Sequence, residues 1–290
     1  MTSDVTGSSV GSSLEPQARQ KGERFSVEYT FQDKIRILVK KMIMNSGCGH
    51  AGGSLSMAEI LASLYEDVMR YDPQDPNWPQ RDRFILSKGH SALGLYAAIH
   101  LAGYFEEPLL YTFATPDGVL MNHPDKSVLP GLEASTGSLG HGLSLAVGMA
   151  LAGQQRDQDY FVYCLMGDAE IQEGSVWEAA MFAASYHLTR LVAIVDRNHI
   201  GNDGPIDPFV NLEPLVDKWT SFGFKTVSVN GHDRSAITAY LKKFRDEGDG
   251  PYALIAETVK GKGLVEGLAG TGAAHYLKGS PEEISAKFLL

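Results

Sequence analysis

Two short apolar runs, each ending at polar residues, constrain the fold of this 290-residue chain more than any other feature. Tyr160 to Met166 is rich in β-forming residues and is followed by Gly167 and Asp168. Leu191 to Val195 is a second apolar run, and Asn198 follows it closely. Runs of this length and composition, bounded by turn-forming residues, predict two buried strands.

A helical pattern over Gln172 to His187 separates the two predicted strands. Successive parallel strands joined by one helix have their carboxyl ends side by side, where open α/β sheets hold ligands. Asp168 and Asn198 are therefore expected to converge. A carboxylate, an amide oxygen and a nearby backbone carbonyl suit Mg²⁺, which completes its octahedron with phosphate oxygens and water. The N-terminus of the helix that follows Asp168 would offer backbone N–H groups to the same phosphates.

Each half of this pattern has a simpler explanation when it is taken alone. Gly167 and Asp168 could form a strand-end turn, and Asn198 could cap a loop. The pair is more specific, because the two elements stand thirty residues apart, with a strand before each and a helix between them. The pattern therefore predicts a site for a divalent metal and a diphosphate.

The bulk composition limits the class of protein. A chain of this length with 43% hydrophobic residues can bury one large α/β core. A net charge of −10 without a basic stripe argues against nucleic acid as a partner. No apolar run in the sequence reaches the roughly 18 residues that span a membrane. Two cysteines are a poor basis for a disulfide framework, which indicates a reducing cytoplasm.

The sequence also predicts how the chain is divided. Residues 1–22 have the composition of a disordered leader without the charged and apolar regions of a secretory signal. Residues 23–290 are expected to form a single domain. Strands alternating with helices predict an α/β fold, a doubly wound and mainly parallel sheet with helices on both faces. Its further elements are predicted helices over Phe31 to Met44, Met57 to Met69 (after a Gly-rich loop), Ala92 to Leu101 and Ser235 to Arg245, and strands over Phe84 to Leu86, Phe224 to Val229 and Tyr252 to Glu257.

Four of the nine histidines lie in predicted loops rich in Gly, Pro or other small residues. A lone histidine of this kind is usually a surface or structural residue, but four such loops are harder to dismiss. Their spacing does not favour metal ligation. Imidazoles near a diphosphate could donate hydrogen bonds to phosphate and to sugar hydroxyls, or shuttle protons near neutral pH. The four are His50 in CGHAGG, His90 in SKGHS, His123 in MNHPDK and His275 in GAAHY, whereas His100 and His187 are predicted to lie inside helices and receive no role.

Six segments, in order from about Ile35 to Gly263, carry a resemblance to a known family: SGCGHAGGSLS, DRFILSKGHSALGLYA, NHPDKSVLPGLEASTGSLGHGLSLAVGMA, GDAEIQEGSVWEAAMFA, LVAIVDRNHIGNDG and ETVKGKG. The chain resembles the N-terminal, cofactor-binding half of a transketolase. The resemblance implies the thiamine diphosphate-binding fold, with thiamine diphosphate and Mg²⁺ as cofactors. Gly167 and Asp168 match the start of the thiamine diphosphate signature, Gly-Asp-Gly followed some thirty residues later by Asn.

Carried over residue by residue, the resemblance implies a role for each matching position. Mg²⁺ would be bound by Asp168, Asn198 and the carbonyl of Ile200. The cofactor's diphosphate would be held by His90, the backbone at Ala169, and His275.

The resemblance also implies which residues surround the reacting groups. The aminopyrimidine would be lined by backbone groups of Gly137 and Leu139. His50 and His123 would face the reacting hydroxyls of the sugar, and with His90 and His275 they would supply hydrogen-bond donors during the reaction. Glu173 and Glu178 match acidic positions that connect the two active sites across the family's dimer, although a solvated first helical turn would explain them nearly as well.

Several positions depart from the family's pattern. Ala169 stands where the signature has its second glycine, which an N–H to phosphate contact tolerates if φ stays negative. Ala51 stands for the usual proline, and His141 stands for a glutamine near the cofactor ring. The segment from Val265 to Lys278 barely matches, so that His275 is the least secure assignment.

Length is the departure with the largest consequence, since a full transketolase is more than twice this size. The resemblance therefore implies the N-terminal subunit of a two-component transketolase, active only with a partner that supplies the pyrimidine-binding and C-terminal domains, most simply as α₂β₂. The reaction would transfer a two-carbon ketol unit from a ketose donor to an aldehyde acceptor. Two alternatives stay open: a component of a pyruvate-using enzyme, of the 1-deoxyxylulose-phosphate-synthase or pyruvate dehydrogenase type, and a non-catalytic partner that has lost the cofactor.

Overall fold

A parallel sheet of five strands organises the part of the chain that the computed structural model describes, residues 29–207 and 210–290. In chain order the strands are Cys48–Gly49 (β1), Arg83–Leu86 (β2), Val162–Gly167 (β3), Leu191–Arg197 (β4), Lys225–Asn230 (β5), Tyr252–Glu257 (β6) and Leu277–Lys278 (β7). The large sheet has the order β2-β3-β4-β6-β5, and every neighbouring pair is parallel. β1 and β7 form a separate antiparallel pair. The predicted parallel α/β sheet is confirmed.

Helices cover both faces of this sheet. Along β3, Tyr163 and Leu165 belong to one hydrophobic cluster, whereas Cys164 and Met166 belong to the other. This alternation follows from the two-residue period of a strand, and it explains why β3 is buried along its whole length. The helices are Phe31–Ser46 (α1), Ala51–Ser56 (α2), Ala58–Ala62 (α3), Ala92–Leu101 (α4), Gly142–Gln155 (α5), Gly174–Ser185 (α6), Leu215–Ser221 (α7), Arg234–Glu247 (α8) and Pro281–Ser285 (α9).

Local signals fix the helix ends that frame the site. The Thr30 side chain accepts a hydrogen bond from the Asp33 N–H at the start of α1, and Gly47 ends the helix with a φ of +76°. The short strand β1 follows at once and leads to His50. Because β1 pairs with β7, the chain before His50 and the chain after His275 are held together.

The Gly-rich loop predicted before Met57 is wrong, since Ala51–Ser56 forms the buried helix α2. The glycines are required by close packing rather than by a turn. A Cβ on Gly52 would lie 2.8 Å from the Ala274 carbonyl oxygen, and one on Gly53 would lie 2.4 Å from Ser91 Oγ. The predicted helix over Met57 to Met69 is present as α3, which continues into a π-helical segment, Ser63–Val68.

The helix predicted between β3 and β4, over Gln172 to His187, is present as α6 with shorter bounds. A 3₁₀ turn covers Glu170–Gln172, and α6 begins at Gly174 because Glu173 is extended. His187 lies beyond the end of α6 with a φ of +50°, and not inside a helix.

The predicted leader, residues 1–22, lies outside the described residues, and the single domain over 23–290 stays a prediction. Across the described ranges, the longest apolar helix falls short of what a membrane crossing requires.

Candidate active site

A cavity of about 160 Å³ lies at the carboxyl edge of the sheet, where β3 and β4 end. This is the edge at which ligands bind in open parallel sheets. Many of the predicted cofactor residues line it. The lining consists of Gly53, Lys88, His90, Leu139, Gly167, Asp168, Ala169, Glu170, Asn198, Ile200, Gly201, Asn202, Lys260 and His275.

The three predicted metal ligands meet in this cavity. Asp168 is 1% exposed, and one of its carboxylate oxygens accepts hydrogen bonds from the His199 N–H at 2.5 Å and from Arg197 Nη1 at 3.3 Å. The Asn198 side-chain oxygen accepts from the Ile200 N–H at 3.1 Å. Burial, reinforced by the nearby Asp196 carboxylate, raises the pKa of Asp168 to about 6. The site therefore holds hard oxygen atoms and a carboxylate whose charge is poorly compensated.

Two lysines that the sequence reasoning did not assign also line the cavity. Lys260 Nζ donates to the carbonyl oxygens of Ile200 at 3.0 Å and Gly201 at 2.7 Å. Burial, with repulsion from Lys88, lowers the pKa of Lys260 to about 8. Lys88 donates to the carbonyl oxygen of Gly53 at 2.8 Å and forms a short ion pair with Asp196. Of the two ammonium groups, that of Lys260 has carbonyl oxygens and not a carboxylate as its hydrogen-bond partners in the described residues, which suits a diphosphate.

Asp196 is a further buried acid, which contacts the lining residues Lys88 and Asn198. It is fully buried, and it accepts hydrogen bonds from Ser56 Oγ at 2.6 Å and from Thr258 Oγ1. Burial would raise the pKa of Asp196, but Lys88 and these hydroxyls lower it. Asp196 is therefore a charged anchor for Lys88.

The loop histidines predicted from the sequence form one cluster beside the cavity. The ring centroids of His50 lie 5.4 Å from His90, 5.3 Å from His275 and 6.3 Å from His123. His90 and His275 are 5.2 Å apart. The pairing of β1 with β7 brings His275 into this cluster although its segment departs from the family's pattern. His90 and His275 line the cavity, whereas His50 and His123 adjoin it through the ring contacts.

Three of these imidazoles are neutral at pH 7. Burial lowers the pKa of His50 to about 4, with help from His123 and Lys260. Burial and Lys88 lower the pKa of His90 to about 2, and burial and Lys260 lower that of His275 to about 4. Nδ1 of His50 and Nδ1 of His275 are buried without a hydrogen-bond partner in the described structure. Such buried, unpaired ring nitrogens suit a polar ligand.

Ala169 stands at the second glycine position of the signature without backbone strain. Its φ is −65°, so the added Cβ is tolerated and the condition of a negative φ is met. The Ala169 N–H donates to the Asp168 carboxylate at 2.9 Å. The Ala169 Cβ lies 4.0 Å from the position that a Cβ on Gly201 would occupy, which is ordinary contact.

Not all of the remaining predicted residues lie at the cavity. Leu139 lines the cavity, while Gly137 packs on His123, whose ring would lie 2.9 Å from a Cβ at that position. Glu173 is exposed just before α6, next to Gly140, and is outside the lining residues that the structure describes. Glu178 and His141 are exposed as well, on α6 and at the start of α5.

Comparisons with known proteins agree with this arrangement. The family described as "Transketolase, thiamine diphosphate binding domain" matches residues 27–286. The chain is 43% identical over 244 residues to the 6-deoxy-6-sulfo-D-fructose transketolase subunit of Clostridium sp. (strain MSTE9), covering 84% of this chain and 88% of that protein. It is 38% identical over 261 residues to an apulose-4-phosphate transketolase subunit of Phocaeicola vulgatus, covering 88% and 92%.

Longer relatives match only in part. Human transketolase is 40% identical over 234 residues, which cover 80% of this chain but 37% of the human protein. The solved transketolase of Leishmania mexicana superposes with a TM-score of 0.82 at 30% identity, covering 88% of this chain and 40% of that one. The chain therefore belongs to the transketolase family, in which it corresponds to the N-terminal, thiamine diphosphate-binding subunit of an enzyme divided between polypeptides.

Proposed function

We propose that this subunit binds thiamine diphosphate through Mg²⁺ and transfers a two-carbon ketol unit from a ketose to an aldehyde when a second polypeptide completes the site. The observation that carries the proposal is the meeting of Asp168, Asn198 and Ile200 in one cavity with a histidine cluster beside it. A carboxylate, an amide oxygen and a carbonyl are the ligands that Mg²⁺ takes, with phosphate oxygens and water in the other positions. A bound cation would also compensate the buried charge of Asp168.

The diphosphate would be held by the cations and polar groups on the other side of the cavity. Lys260 donates to the carbonyl oxygens of Ile200 and Gly201, and on binding it would turn from the Ile200 carbonyl, which is left to the metal, to a phosphate. His90 and His275 line the same cavity and would donate from ring nitrogens, and the Ala169 N–H would turn from Asp168 to the phosphate. This division assigns the metal to the ends of β3 and β4 and the phosphates to the histidine and lysine loops.

The sugar substrates would meet His50 and His123 at the rim of the cavity. A neutral imidazole both donates and accepts, so His50 can exchange a hydrogen bond with a hydroxyl as charge moves during the reaction. Thiamine diphosphate, when bound, supplies the carbon nucleophile, and the chain supplies orientation and proton transfer. Two of the relatives are named for different substrates, 6-deoxy-6-sulfo-D-fructose and apulose-4-phosphate, which supports a ketose donor without fixing its identity.

The need for a second polypeptide is supported by the size of the cavity. At about 160 Å³ it is smaller than the roughly 300–1,000 Å³ of typical ligand pockets, as expected if half of its wall is missing. The chain covers about 40% of solved transketolases, whereas it spans most of the proteins named as subunits. A partner with the pyrimidine-binding and C-terminal domains would supply the rest.

An apolar face on α5 and α6 supports an α₂β₂ assembly. Phe182 on α6 and Tyr186 directly after it stack with ring centroids 4.1 Å apart and remain 38% and 52% exposed, next to Met181 at 51%. Leu145 on the adjacent α5 is 42% exposed. Large apolar groups of this kind on two neighbouring helices suit a protein interface. We assign this face to a second copy of the chain, with Glu173 at its edge.

Both cysteines are free, which fits a location in the cytoplasm.

Reconstitution tests the proposal. The partner is identified as the protein that copurifies with the chain, and both are purified separately. Size-exclusion chromatography and a ketol-transfer assay are then run on the chain alone and on the mixture, with thiamine diphosphate and Mg²⁺. We expect activity and a larger complex only in the mixture. Turnover by the chain alone, or consumption of pyruvate with release of carbon dioxide, would contradict the proposal.

A further inference from the structure

Glu170 is a buried acid that joins three segments of the site. Its side chain is 2% exposed, and one carboxylate oxygen accepts from Ser87 Oγ at 2.5 Å and from the Gly140 N–H at 2.9 Å. The other oxygen accepts from the Gly167 N–H at 3.0 Å. Ser87 leads into the Lys88–His90 loop, Gly140 closes the turn that contains Leu139, and Gly167 precedes Asp168.

The turn over residues 136–140 depends on these contacts for its position. At its beginning, Thr136 Oγ1 donates to the Leu86 carbonyl at 2.6 Å, and the Thr136 carbonyl packs so closely on Gly89 that a Cβ there would lie 2.5 Å away. At its end, the turn is held by Glu170 and by Ser175 Oγ, which donates to the Gly140 carbonyl at 3.0 Å. Glu170 is thus the group that ties the end of the turn to the corner that carries Asp168.

We propose that Glu170 is a positioning residue that fixes the 136–140 turn against the metal and diphosphate corner, and thereby sets the affinity for the aminopyrimidine end of the cofactor. This inference rests on the proposed function, in which Gly137 and Leu139 line the aminopyrimidine. Glu170 itself faces donors of the protein, so its effect on the cofactor would be transmitted through the turn.

The chemistry of the three donors makes the carboxylate necessary. Both oxygens of a carboxylate accept, whereas a glutamine amide at the same position has only one accepting oxygen. In one orientation the amide nitrogen of the replacement side chain would face the Gly167 N–H, and in the other it would face Ser87 and Gly140. Two donors in contact leave buried N–H groups unpaired. Glu170→Gln therefore loosens the turn, whereas Asp168, Lys260 and the histidines keep their own side chains and direct contacts.

The test compares two ligands that share the diphosphate. Calorimetry in Mg²⁺ measures the affinity of the reconstituted complex of the chain and its partner for thiamine diphosphate and for inorganic pyrophosphate. For Glu170→Gln we expect thiamine diphosphate affinity to fall by about tenfold or more and pyrophosphate affinity to fall by clearly less, since the turn beside the ring loses its carboxylate anchor whereas the metal and diphosphate residues keep their own contacts. Ser87→Ala removes one donor to the same carboxylate and should show the same selectivity to a smaller extent.

Asp82→Asn is the matched control. Asp82 is a 1% exposed carboxylate that also accepts from two backbone N–H groups, those of Arg70 and Phe161, at the opposite end of the sheet. Asp82→Asn should change the stability of the chain without changing the ratio of thiamine diphosphate to pyrophosphate affinity. Equal losses for both ligands in Glu170→Gln, or no loss for either, would overturn the positioning role. If Glu170→Gln fails to fold, an unchanged ratio of thiamine diphosphate to pyrophosphate affinity in Ser87→Ala would overturn the positioning role. A wild-type complex that binds neither ligand would contradict the proposed function instead.

Discussion

The two ends of the central sheet treat buried charge differently. At the amino end, where β2 and β3 begin, Asp82 accepts from the Arg70 N–H at 2.7 Å, the Phe161 N–H at 2.8 Å and Arg245 Nη1 at 2.6 Å. At the carboxyl end, Asp168 is equally buried and accepts from the His199 N–H at 2.5 Å and the Ala169 N–H at 2.9 Å, but Arg197 donates to it only at 3.3 Å, and burial raises its pKa to about 6. The first acid has a close cationic partner, whereas the charge of the second is less well compensated and suits a bound cation.

The same contrast holds for the cations. Arg245 at the amino end contacts Asp82 and the Tyr163 hydroxyl, which is 3.0 Å away. Lys260 at the carboxyl end contacts carbonyl oxygens, and burial lowers its pKa to about 8. A protein that kept this arrangement without a ligand would incur the desolvation cost of both Lys260 and Asp168. We infer that the amino end serves stability and the carboxyl end serves binding.

Removing Asp168 should give the largest change in binding. Asp168→Ala deletes one hard ligand and its charge opposite the cation, so Mg²⁺-dependent affinity for thiamine diphosphate should fall by at least about 100-fold. The fold should survive, because the hydrophobic clusters on both faces are untouched. Calorimetry measures the affinity, and circular dichroism measures the fold. An affinity within about threefold of the wild type would contradict the metal assignment.

The matching change at the amino end should have the opposite effect. Asp82→Asn leaves Arg245 without its buried acid and should lower the free energy of unfolding by about 3 kcal/mol. Cofactor affinity should stay within about threefold, since the residue lies at the far end of the sheet. Denaturant unfolding and calorimetry on the same preparation measure both quantities. A variant that loses binding rather than stability would break the distinction between the two ends.

At the carboxyl end of the sheet, the role of each histidine should depend on whether it lines the cavity or lies at its rim. His90 lines the cavity, so His90→Ala should weaken cofactor binding by about tenfold, the value of one or two lost hydrogen bonds to a charged group. His123 is exposed at the rim, so His123→Ala should mainly lower kcat of the reconstituted enzyme. Steady-state kinetics with cofactor titration separates the two effects. The same kinetic defect in both variants, or none in either, would show that the roles are not divided.

Much of this arrangement can be predicted from the sequence because its signals are local. The apolar runs that become β3 and β4, each ending at a Gly-Asp or Asp-Arg-Asn corner, are enough to place Asp168 and Asn198 together. Their loops single out the four histidines, and the resemblance to the family adds their roles. The position of His275 in the cluster depends on the pairing of β1 with β7.

What the sequence does not reveal depends on contacts between distant segments. Glu170 receives its partners from Ser87 and Gly140, which lie 83 and 30 residues away in the chain. Lys260 stands in a short Gly-Lys pattern that carries no sign of burial, although ETVKGKG is recognisable as a family segment. Gly52 and Gly53 suggest a loop, because the close packing that requires them becomes visible only in three dimensions.

The pH dependence of binding should sharpen the role of Lys260. Its ammonium is protonated below a pKa of about 8 and loses its charge as the pH rises through that value. Affinity for thiamine diphosphate in Mg²⁺ should therefore be highest near pH 7 and fall by about tenfold toward pH 9.5, where one cation is missing beside the phosphates. Lys260→Met should bind weakly at both values and flatten the profile. If Lys260→Met showed the same dependence of affinity on pH as the wild type, Lys260 would be excluded from the diphosphate site.

The smallest expected effect concerns the contribution of His50 to stability. Its pKa is about 4 in the folded chain against an ordinary value of 6.5, because burial, His123 and Lys260 disfavour the charged form. The folded state therefore binds this proton less readily than the unfolded state. The stability that depends on a neutral His50 is fully present above pH 6.5 and is lost as the pH falls from 6.5 through about 4.

Other groups titrate in the same range, so the measurement is the difference between His50→Gln and the wild type in thermal unfolding at about pH 7.5 and about pH 4.5. The variant should lose less stability on acidification, whereas His141→Gln, which removes an exposed histidine from the start of α5, should lose as much as the wild type. Equal losses in all three proteins would mean that His50 remains accessible to protons in the folded chain, and that the carboxyl end is less dry than its histidine cluster indicates.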